Sequence, residues 1–411
     1  MLTAPKGLRT HIGLFGRMNV GKSSVLNTLA NQDVAITSAQ PGTTTDVVEK
    51  PMELLPLGPV VVMDTAGLDD DSALGAARKG RTHQALERSE VVVVVAEADN
   101  WGAHEEAVVR RAKERGCPLV IIVNKTDQRA PSEVCMQRMR AHTELVISGS
   151  CTGSGRAAFG RAIREALVTA GRQREQRSAP LLGDLISAGS VVVMIVPIDL
   201  EAPRGRLILP QVHAIRDALD HDAIALVVKE HQYRQALSQL AAPPALVICD
   251  SQVVDKMVAE TPPSVRCTTF SILMARMKGD LGEAVRAAAM LRELHGGDRV
   301  LIAEACSHHP LADDIGREKL PRWLRAQCGE GIEIEVVSGR DFPADLTPYR
   351  VVVHCGACML TREEMQNRVR AARAAGVALT NYGVCIAALH GVLDRVVEPF
   401  AQSFASSHSS P

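Results

Sequence analysis

Gly16-Arg17-Met18-Asn19-Val20-Gly21-Lys22-Ser23 directly follows the apolar run Ile12-Gly13-Leu14-Phe15 and precedes a helical pattern. A Gly-x4-Gly-Lys-Ser loop between a strand and a helix turns successive backbone amides toward a phosphate chain, so the first part of the chain must fold around a nucleoside-triphosphate site. Gly16 and Gly21 let the backbone approach the phosphates, and Lys22 reaches between the β- and γ-phosphates. Ser23 offers a hydroxyl to a Mg2+ shell, with Ser24 beside it.

At 411 residues the chain exceeds what one core usually organises, and the pattern of elements divides it into three. From Arg9 to about Ala170, short runs rich in β-branched residues (His11–Phe15, Val60–Asp64, Val91–Ala96, Leu119–Asn124, Leu145–Ser148) alternate with helical patterns, which predicts a mostly parallel sheet wrapped by helices. Gly171–Ser178 is polar and charged, and reads as a linker or a frayed helix end. Val191–Pro197, Ala223–Val228 and Ala245–Asp250 are strand candidates separated by helical stretches around Gln211–Leu219 and His231–Leu240. No catalytic motif falls among them, so the middle unit is expected to serve association. The Pro262-Pro263 break is taken to open a third unit, in which Arg299–Ala303, Ile332–Val337 and Arg350–Val353 are strand candidates. The expected fold is α/β, a P-loop domain over 1–172 followed by smaller α/β domains over 180–262 and 263–411, with a disordered tail over Ser403–Pro411.

Composition removes several function classes. Lys+Arg 46 against Asp+Glu 47 leaves a net charge of -1, and aromatics make up only 3%, so nucleic acid finds neither a basic footprint nor stacking platforms and is not expected as a partner. No apolar run approaches a membrane span, and Met1-Leu2-Thr3-Ala4-Pro5-Lys6 does not lead into a signal-peptide core; a soluble cytoplasmic protein without membrane partners is expected. Ten cysteines over this length do not resemble a secreted disulfide framework, and in a reducing compartment clustered cysteines point to metal or catalysis. Cys117, Cys249 and Cys267 lie in or beside apolar runs and are expected in the core, and Cys328 and Cys385 are also taken as structural.

Two more boxes complete the nucleotide site. Asp64-Thr65-Ala66-Gly67 follows Val60–Met63, placing a carboxylate where it orders Mg2+-bound water and a glycine amide where it senses the γ-phosphate. Asn124-Lys125-Thr126-Asp127 follows Leu119–Val123, and the Asp127 carboxylate suits the N1 and N2 donors of guanine, whereas adenine N1 carries no hydrogen. The nucleotide is therefore expected to be GTP. The last guanine-contacting box maps either onto Ser148-Gly149 or onto Gly149-Ser150-Cys151-Thr152-Gly153.

These boxes together resemble the GTPases of the translation-factor class, and within it the potassium-stimulated branch that includes tRNA-modification and ribosome-assembly GTPases. The resemblance implies that Asn19 coordinates K+, and that Pro41-Gly42-Thr43-Thr44-Thr45-Asp46 is the first switch with Thr44 as a Mg2+ ligand. Leu68 stands where signalling GTPases carry a water-orienting glutamine. The cation and the switch backbone would then supply the transition-state charge, and turnover is expected to be slow.

A second constellation lies far along the chain. His354-Cys355-Gly356-Ala357-Cys358 follows one strand candidate and Cys306-Ser307-His308 follows another, so parallel strands can deliver three thiolates and imidazoles to one crevice. Zinc would be satisfied by three Cys and one His, whereas a [4Fe-4S] cluster on three thiolates keeps one iron with an exchangeable fourth ligand; residue types alone leave both open.

A GTPase domain of this branch, a middle domain without catalytic motifs, and Cys-x-His followed by His-Cys-x-x-Cys together resemble the [FeFe]-hydrogenase maturation GTPases over essentially the whole chain. That resemblance implies a dimerising middle domain, a homodimer or higher assembly, and a third domain binding a [4Fe-4S] cluster through Cys306, Cys355 and Cys358, with His308 or His354 as a labile fourth ligand. His309 lies outside the pattern. It also implies a scaffold that transiently carries a diiron subcluster precursor from two radical-enzyme maturases to apo-[FeFe]-hydrogenase. The alternative is a ribosome-assembly or tRNA-modification GTPase with structural zinc; its one Gly-x-x-Gly candidate, Gly279-Asp280-Leu281-Gly282, carries an acidic residue that would repel phosphate. A self-contained redox enzyme would want a fully ligated cluster and a second redox partner, and neither is visible.

Overall fold

The computed structural model describes residues 9–30, 48–65, 75–176, 179–198, 207–305, 314–339 and 341–406. The chain forms two compact units, Met1–Ser178 and Ala179–Pro411. The first holds β1 (Thr10–Phe15), β2 (Val48–Leu54), β3 (Gly58–Asp64), β4 (Val91–Glu97), β5 (Leu119–Asn124) and β6 (Val146–Ser148), with α1 (Lys22–Ala30), α2 (Gly75–Arg88), α3 (Ala103–Glu114), α4 (Glu133–Arg140) and α5 (Arg156–Gln176). The sheet order is β2-β3-β1-β4-β5-β6, and β2 is its antiparallel member.

A strand covered on both faces needs no polar alternation, and β4 illustrates it. Val91 through Ala96 are fully buried. Val91, Val93 and Val95 pack with Val25, Leu26 and Ile163 from α1 and α5, while Val92, Val94 and Ala96 face Val108, Val109 and Ala112 of α3. The polar stretch beginning at Gly171 is helix as far as Gln176. Gly171 sits against Leu57, and Arg174 pairs with the buried Glu90 beneath it, which is why α5 continues through so charged a segment.

The second unit contains two all-parallel sheets. One has the order β10-β9-β7-β8, from β7 (Val191–Ile195), β8 (Ile224–Val228), β9 (Leu246–Cys249) and β10 (Cys267–Thr269), with α6 (Leu209–Asp220), α7 (Tyr233–Gln239), α8 (Val254–Glu260) and α9 (Phe270–Lys278). The other has the order β12-β11-β13-β14, from β11 (Arg299–Glu304), β12 (Glu333–Ser338), β13 (Val351–His354) and β14 (Ala378–Asn381), with α10 (Leu281–Ala289), α11 (Leu320–Cys328), α12 (Arg362–Ala374) and α13 (Tyr382–Leu389). α14 (Leu393–Val397) and α15 (Ala401–Ser406) follow, so helix enters the segment expected to be a disordered tail.

The Pro262-Pro263 break does not end the first of these sheets, because β10 lies beyond it and pairs with β9 from Cys267 opposite Val247 to Thr269 opposite Cys249. Val193, Ile248 and Phe270 share one continuous core with Val300, Ile302 and Val351. Cys117, Cys249, Cys267 and Cys385 are buried, as expected of core residues, and Cys328 is half-buried. Among the described residues no helix is long and apolar enough to cross a membrane.

Candidate functional site

At the carboxyl end of β1 the loop turns back on itself before α1. Gly21 has φ 96, in the left-handed region, and a Cβ there would collide with the Asn124 side-chain nitrogen. The close approach joins the loop to β5, and Asn124 Nδ2 donates to the Val20 carbonyl at 3.0 Å. Asn124 Oδ1 is buried with no hydrogen-bond partner among the described residues, an orphaned acceptor at the place where a bound nucleotide is expected. Asn19 adopts φ 62, which asparagine tolerates, and is exposed.

Lys22 is buried, and its ammonium donates to the Gly16 carbonyl at 2.9 Å and the Arg17 carbonyl at 2.8 Å, so the loop's own backbone orients the charge. Ser23 Oγ donates to Asp64 Oδ2 at 2.7 Å. The hydroxyl and carboxylate expected to serve one Mg2+ thus meet between the start of α1 and the end of β3, and this oxygen pair fits a hard cation. Thr65 Oγ1 donates to the Leu14 carbonyl at 2.6 Å and fixes the chain just beyond Asp64. Arg17 forms a bidentate pair with Glu105 of α3, a support not visible in the sequence motif.

The base-recognition side is assembled from β5 and β6. Lys125 has φ 60 and its Nζ lies 2.5 Å from Glu97 Oε1 at the end of β4. The Thr126 amide donates to the Gly149 carbonyl at 3.2 Å, and Thr152 Oγ1 donates to Asp127 Oδ2 at 3.3 Å. The Ser150 hydroxyl beside it holds the Asp127 carboxyl below the usual carboxylate range. The Gly149–Thr152 segment, one of the two positions considered for the last guanine box, therefore lies against Asn124–Asp127. Thr44, Gly67 and Leu68 lie outside the described residues.

The second group of predicted site residues sits at the carboxyl edge of the third sheet. β13 ends at His354, and Cys355-Gly356-Ala357-Cys358 turns away with Ala357 at φ 52. The Ala305 amide, just past β11, donates to Cys355 Sγ at 3.1 Å. Cys306 follows Ala305 in sequence, and Cys306, His308 and His309 lie outside the described residues. Among the described residues no three His, Cys, Asp or Glu side chains converge to hold a metal. Burial pushes the Cys355 thiol up to about 11 and raises the Cys358 thiol, the latter opposed by the Lys278 ammonium. Both cysteines thus stand as protonated thiols on one turn, and a metal centre there would have to displace their protons.

His354, expected with His308 as a candidate fourth ligand, is fully buried. Its Nδ1 lies 2.8 Å from the Cys355 carbonyl and its Nε2 2.8 Å from Arg368 Nη1, so both ring nitrogens are engaged. Lys278 and Arg368, the two cations beside this turn, were not foreseen, since a basic residue on a helix ordinarily reads as a solvated one. Gly279-Asp280-Leu281-Gly282 is the start of α10, with Asp280 accepting from the Glu283 amide at 2.9 Å as its cap.

A phosphate loop at the end of β1, Ser23 and Asp64 in contact, and a guanine-selective box at the end of β5 define a P-loop GTPase, for which GTP and Mg2+ are the nucleotide and the cation. Residues 11–125 match the family model described as 50S ribosome-binding GTPase. Residues 181–279 match the Hydrogen maturase F dimerization domain and 282–399 the Hydrogen maturase F tetramerization domain, together more than half of the chain. The chain belongs to the hydrogen maturase F family, a family of hydrogenase maturation GTPases, and with those two domains it self-associates.

Curated relatives match the GTPase part. The chain is 36% identical over 162 residues to the tRNA modification GTPase MnmE of Synechococcus sp. (strain JA-2-3B'a(2-13)), covering 37% of this chain and 34% of that protein. It is 38% identical over 125 residues to GTPase Der of Deinococcus deserti, covering 30% of this chain and 28% of that protein. The chain thus spans about a third of the length of the curated relatives it matches. Among solved structures, Aquifex aeolicus Era bound to GDP and AlF4- aligns with TM-score 0.31 and 17% identity, over 53% of this chain and 93% of that one.

Proposed function

We propose that this chain is a GTP-hydrolysing scaffold or carrier that holds a [4Fe-4S] cluster and delivers a diiron subcluster precursor to apo-[FeFe]-hydrogenase, working with the two radical-enzyme maturases in the cytoplasm. The observation that carries the reading is the Cys355–Cys358 turn at the carboxyl edge of the third sheet, with the Ala305 amide on Cys355 Sγ, in a chain whose other unit holds the phosphate loop. Residues 1–172 serve the nucleotide, the middle part dimerisation and the last part the cluster. Cys306, Cys355 and Cys358 would hold the cluster, which supplies one iron open to an exchangeable ligand.

For GTP, Lys22 leaves the Gly16 and Arg17 carbonyls for the β- and γ-phosphate oxygens, and the loop amides take up the remaining charge. Ser23 and Asp64, hydrogen-bonded to each other here, would hold Mg2+ together with Thr44. Water attacks the γ-phosphorus as GDP departs, and the Gly67 amide reads the γ-phosphate. Leu68 cannot orient that water; Asn19 would hold a K+ that would add positive charge at the γ-phosphate, and slow hydrolysis would act as a regulatory switch on partner association or cargo release.

Iron, acid-labile sulfide and zinc content, with visible and EPR spectra on anaerobically reconstituted protein, test the proposal. About four iron and four sulfide per chain, lost in Cys355→Ser while GTP turnover persists, is the expected result. Stoichiometric zinc in a protein that resists iron loading would favour instead a ribosome-assembly or tRNA-modification GTPase with a structural zinc.

A further inference from the structure

Lys278 ends α9 and is buried. Taking an ammonium out of water costs free energy that only close acceptors recover, and three backbone carbonyls of a single turn serve as acceptors here. Nζ donates to Leu360 at 2.7 Å, to Ala357 at 3.1 Å and to Cys358 at 3.3 Å. Three bonds from one cation converge on the turn that carries Cys355 and Cys358, and they reach it just where Ala357 takes its left-handed conformation.

The lysine is itself anchored. Gln366 Nε2, on α12, donates to the Lys278 carbonyl at 3.1 Å and to the Gly279 carbonyl at 2.8 Å, so the end of α9 is fixed from the helix that follows the turn. A cavity of about 20 Å3, lined by Met274, Lys278, Cys355 and Ala357 among others, lies between α9 and the turn and has room for little more than one water. Lys278 belongs to the stretch matched as the dimerization domain, and the turn to the stretch matched as the tetramerization domain.

We infer that Lys278 is a positioning residue for the metal centre: its ammonium sets the conformation in which Cys355 and Cys358 present their sulfurs, and places a fixed positive charge beside the thiolates. The inference rests on the cluster-binding reading above. A cation at this position favours the more negative, reduced state of a thiolate-held cluster, as hydrogen bonds and nearby charge do generally. Because the charge comes from α9, a shift of that helix on self-association would reach the cysteines directly.

The test uses the full chain, reconstituted without oxygen, as wild type, Lys278→Met and Lys278→Arg. Lys278→Met is expected to keep GTP turnover, to lose iron to a chelator roughly tenfold faster, and to show a more negative cluster midpoint potential, while Lys278→Arg holds the potential near that of the wild type. A Lys278→Met protein that keeps its iron and its potential overturns the inference and leaves the cluster reading standing. Wild-type protein that loads no cluster sinks that reading instead. Should Lys278→Met not fold, hydrogen exchange on unaltered apo-protein decides: amides over 355–360 as protected as those of β13 support the clamp, and exchange at open-loop rates overturns it.

Discussion

Arg368 Nη1 lies 2.8 Å from His354 Nε2. A guanidinium only donates, so His354 accepts at Nε2 and carries its proton on Nδ1, which donates to the Cys355 carbonyl. Burial, reinforced by the Arg368 charge, holds the ring's pKa down at about 3, and the imidazole is neutral at physiological pH. Arg368 is kept in place by the Gly339 carbonyl at 2.9 Å and by the Phe342 ring 4.6 Å away. In this arrangement His354 orients the cysteine backbone, and its Nε2 lone pair is engaged by Arg368. Under the proposed cluster reading, a His354 that keeps its Arg368 bond leaves the fourth-ligand role to His308 or to a ligand from outside the chain. In the reconstituted protein, nitrogen hyperfine coupling to the cluster is expected to survive His354→Asn; its disappearance in that variant, with iron content intact, would return His354 to the ligand set.

We propose that base selectivity turns on Asp127, whose carboxylate suits the N1–H and N2 amine of guanine; xanthine replaces that amine by a carbonyl oxygen. Asp127→Asn is therefore expected to weaken GTP binding by roughly a hundredfold or more while improving xanthosine triphosphate binding. Titration calorimetry with the two nucleotides reads this directly, and unchanged GTP affinity would remove Asp127 from the base site.

Asn19, at φ 62 in the phosphate loop, is the residue proposed to bind K+. Steady-state GTP turnover should fall when K+ is replaced by Na+ at constant ionic strength, and Asn19→Ala should remove the difference between the salts. Equal rates in the two salts for the wild type would leave Asn19 a turn residue.

In the dimerization domain, Val212 and Leu219 lie two turns apart on α6 and are 43% and 57% exposed; Ile224 and Val227, on the edge strand β8, are 56% and 41% exposed. Apolar side chains grouped on one helix and one sheet edge suit a face covered by a second copy. Val212→Lys with Leu219→Lys should shift sedimentation toward smaller species without changing the far-ultraviolet spectrum. If the double variant sediments as the wild type does, self-association uses another face.

Glu90 is buried between Arg174 and the His11 amide. Burial raises its pKa, but Arg174 and His11 outweigh it and hold the carboxyl at about 2. The folded value is below the unfolded one, so the unfolded chain binds the extra proton and stability falls as pH drops from about 5 toward 2. At neutral pH the contribution is at most about 3 kcal/mol. Denaturant midpoints of the wild type should drop more steeply over that range than those of Glu90→Gln, and parallel curves would contradict the assignment.

Legibility in the sequence followed burial. Strands covered on both faces, such as β4, β5 and β13, announce themselves as unbroken apolar runs, whereas β2 carries Pro51, acceptable only because it is an edge strand, and β10 and β14 span three and four residues. Pro262-Pro263 misled because prolines mark turns within a unit as readily as between units. Lys22, Asp64 and Asn124 were readable since their spacing from strand ends is itself the motif. Lys278, Arg368 and Glu105 were not, because each acts on a residue distant in sequence, and nothing local distinguishes a lysine that binds carbonyls from one that faces water.

The five consecutive valines of β4, inaccessible in the folded unit, have a different meaning on a nascent or truncated chain. Val91–Ala96 is β-branched but for its last residue, uncharged and free of proline, which are the attributes of a segment that self-stacks into fibrils when unprotected. Its neighbours in the sheet, β1 and β5, flank it in sequence, so the ribosome releases the last of them only after the run has emerged. Fragments ending between β4 and β5 should precipitate, and recombinant yield will depend on how soon β5 arrives to shield the valines.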